Sequence, residues 1–291
     1  MKKLTRLMAC AFALSLTTGV VSCTNPGPVD PGPVDPGPVD PGPGGGGGNA
    51  KGPNPTEALL TAARGPFAVS QVSGNAAGFN RGTVYYPTDN SLGRLGTIVV
   101  VPGFMSAESS IQWWGPRIAS HGFVVMTLTT NTTGDFPAQR AQQQTAALNW
   151  LATSSPVANR VDPTRLATQG WSMGGGGSLD AARTNPNIKV VVPMAPWNPG
   201  SRYTYNKPTF ILSCASDAIA GNASNSNVFY GSLTGEKAQL TIPGSHFCPT
   251  TANATAARYV VSWLKRFLDG DTRYSSFVCT TRANYRNTCP V

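Results

Sequence analysis

Strand-like and helix-like segments alternate along most of this 291-residue chain, which predicts an α/β protein with a mostly parallel central sheet and helices on both faces. The run Thr97-Ile98-Val99-Val100-Val101 is apolar without alternation, the pattern of a strand buried on both sides. Residues 51–291 contain no second linker, internal repeat or apolar run of membrane length, so they are read as one domain.

The N-terminus has a different character. Lys2, Lys3 and Arg6 precede an apolar stretch from Leu7 to Leu16 that is too short to cross a bilayer, so residues 1–22 are read as a signal peptide. Val20-Val21-Ser22-Cys23 resembles the lipobox of bacterial lipoproteins, which implies lipidation of Cys23 and, with Thr24 following it, outer-membrane sorting. An ordinary secretory signal is the alternative. Residues 23–50 repeat Pro-Gly-Pro-Val-Asp and end in a glycine run; such a composition buries no core and is read as a tether.

Within the domain, strands are expected at 67–71, 82–86, 97–101, 123–129, 165–169, 190–193, 209–213 and 238–242. Helices are expected at 111–121, 137–151, 175–185 and 252–268.

Residues Leu166 to Gly174 read as a strand that enters Gly170-Trp171-Ser172-Met173-Gly174 and then a helix rich in small residues. Strand, G-x-S-x-G and helix together form the nucleophile elbow of the α/β-hydrolase fold, in which Ser172 sits on a sharp turn and the flanking glycines avoid collision. A serine hydroxyl needs a base to attack at neutral pH. The chain has two histidines, His121 and His246, and this fold orders its groups serine, acid, histidine, which selects His246. Between Ser172 and His246 the candidates for the acid are Asp180, Asp217 and Glu236; Asp217 follows the strand-like run 209–213 and is preferred, to hold the imidazole in one tautomer. The oxyanion hole is expected from the backbone N–H groups of Met173 and of Phe104, in the loop Pro102-Gly103-Phe104-Met105. The side chains of Phe104, Trp171, Met173 and Trp197 are expected to line the substrate cleft, the aromatic ones by stacking. No cofactor and no metal is called for.

The formal charge is +9, and it stays +9 once the basic residues of the signal and Asp30, Asp35 and Asp40 of the tether are set aside. The basic residues are scattered singly, which argues against a nucleic-acid partner. The six cysteines divide into Cys10 in the signal, Cys23, and an even set of Cys214, Cys248, Cys279 and Cys289; pairing in order joins Cys214 to Cys248 and Cys279 to Cys289. The first bond would clamp the loop of Asp217 to that of His246.

The segments Gly82 to Pro87, Val101-Pro102-Gly103-Phe104, Ser109 to Gly115, Ala119 to Val125, Gly170 to Ser178, Ala195-Pro196-Trp197 and Asp271 to Ser275 resemble the bacterial polyester hydrolases, the cutinase and poly(ethylene terephthalate) hydrolase family. That resemblance implies a lidless fold with a shallow cleft open to polymer chains. Trp171 and the Cys214 and Cys248 pair are similar to the mesophilic poly(ethylene terephthalate) hydrolase; Phe229 and Phe247 are similar to the thermophilic cutinases, and Phe104 stands where the family usually has tyrosine. Bulk at Phe229 and Phe247 is expected to restrict tilting of Trp197.

The sequence therefore predicts an exported monomeric serine esterase acting on polyester or small esters, with membrane contact only through a lipid on Cys23. A lipase or general carboxylesterase, and a catalytically dead binding lipoprotein, are the competing readings. The complete set of triad residue types disfavours the last, and the lack of a long insertion disfavours a lidded lipase.

Overall fold

The computed structural model describes residues 49–289, so the signal peptide, Cys23 and nearly all of the tether lie outside the described residues. The chain runs α1 (Glu57–Thr61), β1 (Val69–Ala76), β2 (Phe79–Pro87), β3 (Leu95–Val101), α2 (Trp114–Ala119), β4 (Val124–Thr129), α3 (Pro137–Thr153), β5 (Val161–Trp171) and α4 (Met173–Thr184). It continues with β6 (Ile188–Met194), β7 (Thr209–Cys214), α5 (Ser226–Ser232), β8 (Lys237–Ile242), α6 (Ala254–Phe267), α7 (Ser275–Val278) and β9 (Tyr285–Asn287).

The strands form one sheet in the order β1-β2-β4-β3-β5-β6-β7-β8-β9. From β4 through β8 every neighbouring pair is parallel, while β1, β2 and β9 add antiparallel edges. This is the expected mostly parallel α/β-hydrolase sheet. All seven residues of β3 are buried, and their alternation divides them between two cores. Ile98 and Val100 join Trp114, Ile118, Trp263 and Leu264 from α2 and α6 on one face. Val99 and Val101 join Leu148, Leu151, Leu179 and Ala182 from α3 and α4 on the other. Helices thus cover both faces, which is why the central strands carry apolar side chains at successive positions.

Several local expectations are corrected. The first strand begins at Val69 rather than at residue 67, because the Phe67 N–H donates to the Ser120 carbonyl and the segment enters the sheet only afterwards. The helix expected at 111–121 shrinks to Trp114–Ala119. Its entrance is tied from outside: the indole N–H groups of Trp113 and Trp114 both donate to the carbonyl of Pro249. The sequence reading missed α1, α5, α7 and β9, all short; β9 is recruited by antiparallel pairing of Tyr285 with Leu240 rather than by its own composition.

Candidate active site

Ser172 occupies the turn between β5 and α4 with φ 58° and ψ −122°, a backbone conformation that non-glycine residues rarely adopt. The flanking glycines follow from the space available. A Cβ on Gly170 would run into the carbonyl of Gly174, and one on Gly174 would run into the carbonyls of Val101 and Pro102. The turn is held by bonds from the neighbouring strand: Ser172 N–H donates to the Met194 carbonyl at 2.9 Å, and Trp197 N–H donates to the Ser172 carbonyl at 2.9 Å.

The structure brings Ser172, His246 and Asp217 together. His246 Nε2 lies 2.8 Å from Ser172 Oγ, and His246 Nδ1 lies 2.8 Å from Asp217 Oδ2. A carboxylate accepts only, so Nδ1 carries the proton and Nε2 is left to accept from the serine hydroxyl. The other oxygen of Asp217 accepts from the backbone N–H groups of Ile219 at 2.9 Å and Ala220 at 2.7 Å, which fixes the carboxylate's orientation. All three side chains are nearly covered. Asp180 is elsewhere: it pairs with Arg183 at 2.8 Å and accepts from Asn198 and Tyr203.

The loop of His246 is fastened from two sides. Cys214, the last residue of β7, is bonded to Cys248, two residues past His246. From beneath, the indole N–H of Trp171 donates to the His246 carbonyl at 2.9 Å, and its ring packs 5.5 Å from the imidazole and 5.4 Å from Phe247. The second bond, Cys279 to Cys289, ties the C-terminal segment instead.

The remaining residues expected at the site divide by exposure. Phe104 keeps 44% of its surface, whereas Trp171 keeps 3% and Met173 9%, so the latter two offer little side-chain area to a ligand. Trp197 is half-buried, and its ring partner is Phe136 at 6.4 Å. Phe229 is fully buried, with its ring 5.4 Å from that of Tyr203. The backbone N–H groups of Phe104 and Met173 have no protein acceptor among the described residues.

His121, the other histidine, lies at the end of α2 with Nε2 2.8 Å from the guanidinium of Arg117, which also reaches the Leu60 carbonyl. Burial pushes its pKa down to about 3, aided by the charges of Arg117 and Lys265, so it is a neutral structural acceptor.

Sequence reasoning did not single out Met105, Phe136 or Ile219 as site residues. The large apolar side chains most exposed among the described residues are Phe104, Met105, Phe136, Ile219 and Phe247. Every one lies on a site loop: Phe104 and Met105 follow β3, Ile219 is bonded to Asp217, Phe247 follows His246, and Phe136 contacts both Phe104 and Trp197. Phe136 directly before a helix-starting proline was the available signal. The segment between β6 and β7, 195–208, holds no helix or strand that would roof this surface. Among the described residues no three His, Cys, Asp or Glu side chains cluster as metal ligands would.

Comparison with known proteins agrees with this architecture. The family model described as PET hydrolase-like matches residues 47–290. A bis(hydroxyethyl) terephthalate hydrolase from Streptomyces coelicolor is 44% identical over 253 residues, covering 82% of this chain and 82% of that protein. Cutinase est2 from Thermobifida alba is 45% identical, and a cutinase from Thermobifida fusca 44%, each over 257 residues covering 82% of this chain and 85% of the relative. With a match along nearly the whole described chain, on a mostly parallel sheet whose elbow carries Ser172, the chain belongs to the PET hydrolase-like family of carboxylic-ester hydrolases.

Proposed function

We propose that this enzyme hydrolyses the ester bonds of polyesters through an acyl-enzyme on Ser172. The observation that carries the reading is the relay of 2.8 Å contacts from Asp217 through His246 to Ser172, opening onto the surface where the exposed apolar side chains gather. Ser172 Oγ attacks the ester carbonyl carbon as His246 Nε2 takes its proton, and Asp217 stabilises the imidazolium. The carbonyl oxygen becomes an oxyanion held by the N–H groups of Phe104 and Met173, a donor of this kind being worth roughly 3 kcal/mol of barrier. Collapse expels the alcohol, protonated by His246, and leaves the acyl group on Ser172. Water, deprotonated by the same imidazole, then releases the acid and restores the serine.

A polymeric substrate is supported by the unroofed surface and by Phe104, Phe136, Ile219 and Phe247, which offer apolar contact beyond what a small ester needs. The names of the relatives, a terephthalate-ester hydrolase and cutinases, point the same way. Export is supported by the two disulfides, which persist in oxidising compartments, and a lipid on Cys23 with residues 23–50 as spacer is proposed as the anchor. Release of soluble acid from a polyester film, measured beside hydrolysis of p-nitrophenyl butyrate, tests the function; activity on the small ester alone would favour a general carboxylesterase. Fractionation of cells expressing wild type and Cys23→Ser tests the anchor.

A further inference from the structure

Arg140, in the first turn of α3, is fully buried, yet no carboxylate lies within ion-pair distance of it among the described residues. The neighbouring Asp135 carboxylate, engaged by the Thr132 hydroxyl at 2.7 Å and the Gln143 amide at 2.8 Å, makes no direct ion pair and attracts the guanidinium only from longer range. The guanidinium instead donates to three backbone carbonyls: Nε to Asp135 at 2.7 Å, Nη1 to Pro102 at 2.9 Å and Nη2 to Thr133 at 2.8 Å. Burying a cation against carbonyls, with a carboxylate only at longer range, is costly, and an aliphatic side chain would fill the space at less cost. The planar fork must therefore do something that filling does not.

Its acceptors show what that is. Pro102 begins the loop that presents Phe104, and Met105, just past Phe104, donates its N–H to the Thr133 carbonyl at 2.8 Å. That carbonyl is the one Arg140 Nη2 holds. The Phe104 amide is thus bracketed by two peptide anchors that converge on one guanidinium. The loop needs such restraint, since Met105 sits at φ 54°. Beneath Arg140 the helix after the nucleophile is equally specific: a Cβ on Gly177 would lie 2.9 Å from Arg140 Cβ and 3.0 Å from the Pro137 carbonyl.

We infer that Arg140 is a positioning residue for the oxyanion hole, its guanidinium fixing the Pro102–Met105 loop so that the Phe104 N–H points at the developing oxyanion. The inference rests on the proposed role of Ser172 and the Phe104 amide. Arg140 touches no substrate. A misplacement of about 1 Å costs up to roughly 100-fold in rate, and losing an oxyanion donor costs about 100- to 1,000-fold, so disturbing the brace falls at or below that range.

The test uses Arg140→Lys, Arg140→Gln and Gly177→Ala, the last displacing the brace from behind while keeping its charge. For each, kcat and KM on p-nitrophenyl butyrate, the inhibition constant of a boronic acid that mimics the tetrahedral intermediate, and the melting temperature are measured, with assays well below melting. The expected result is a fall in kcat of roughly tenfold or more with KM little changed, and boronate affinity weakening in step with kcat. A purely structural role would lower the melting temperature and leave both at wild-type values in the folded enzyme; that outcome overturns the inference. If the Arg140 variants do not fold, Gly177→Ala decides by the same criteria. Ser172→Ala is assayed alongside: activity there would end the reading of the whole site and this inference with it, whereas a dead Ser172→Ala beside unimpaired Arg140 and Gly177 variants would end only the brace.

Discussion

The indole N–H of Trp171 donates to the backbone carbonyl of His246 at 2.9 Å, so the residue before Ser172 holds the loop of His246. Ser172 and His246 are therefore coupled through a bond that involves neither of their side chains. Trp171→Phe keeps the ring and deletes the donor. A hydrogen bond of this type contributes about 1 kcal/mol, so kcat on a short ester is expected to fall roughly fivefold with little change in KM. Steady-state kinetics check this; a proportional rise in KM would mean that the indole serves binding instead.

The two disulfides separate stability from catalysis. Cys214–Cys248 spans 34 residues and Cys279–Cys289 spans 10, so each is expected to stabilise by roughly 3 to 4 kcal/mol in the chain-entropy model. Replacing Cys214 and Cys248 by alanine should lower both melting temperature and kcat, since the bond joins the end of β7, just before Asp217, to the loop of His246. Replacing Cys279 and Cys289 should lower melting temperature alone. Equal losses of kcat, measured well below melting, would count against the clamp.

His121 gives the fold a dependence on pH that is independent of the active site. Its folded pKa, about 3, lies below the ordinary 6.5, so the unfolded chain binds a proton that the folded one refuses. Stability is fully present above pH 6.5 and is lost as pH falls toward 3, at up to about 1.4 kcal/mol per pH unit. Denaturant unfolding at pH 7 and pH 4.5 should show wild type losing roughly 2 to 3 kcal/mol more than His121→Gln, which retains an acceptor for Arg117. Equal losses would mean that protonation of His121 is tolerated in the fold.

Trp197 is expected to matter more for polymer than for small ester. Its backbone N–H bonds Ser172, which the alanine variant preserves, while its half-buried ring meets Phe136 on the open surface. A stacked contact of about 0.5 to 1.5 kcal/mol predicts that Trp197→Ala lowers the ratio of film hydrolysis to p-nitrophenyl butyrate hydrolysis by roughly two- to tenfold. An unchanged ratio with a lower melting temperature would assign the ring to packing.

What was legible in the sequence is what chemistry and steric necessity fix locally. Gly170 and Gly174 announce the elbow because carbonyls occupy the space of their absent side chains, and chain order alone separates His246 from His121. Contacts that no motif or cysteine announces were not legible. Trp171 was expected to face substrate, but its indole finds a carbonyl 75 positions away and is covered. Arg140 reads as one helical arginine among polar residues, and its bond to the Pro102 carbonyl exists only once β3 and α3 are packed.

The central claim is that Ser172, activated by His246, cleaves polyester on an open apolar surface. Its most direct test is the release of soluble aromatic acid from an amorphous poly(ethylene terephthalate) film by wild type and Ser172→Ala, quantified by chromatography on samples of equal folded content. The expected result is steady release by wild type and a loss on the order of 10⁴-fold or more in the variant, whose melting temperature stays near that of wild type. Release by Ser172→Ala at a comparable rate, or a wild type that cleaves p-nitrophenyl butyrate and leaves the film intact, would contradict it.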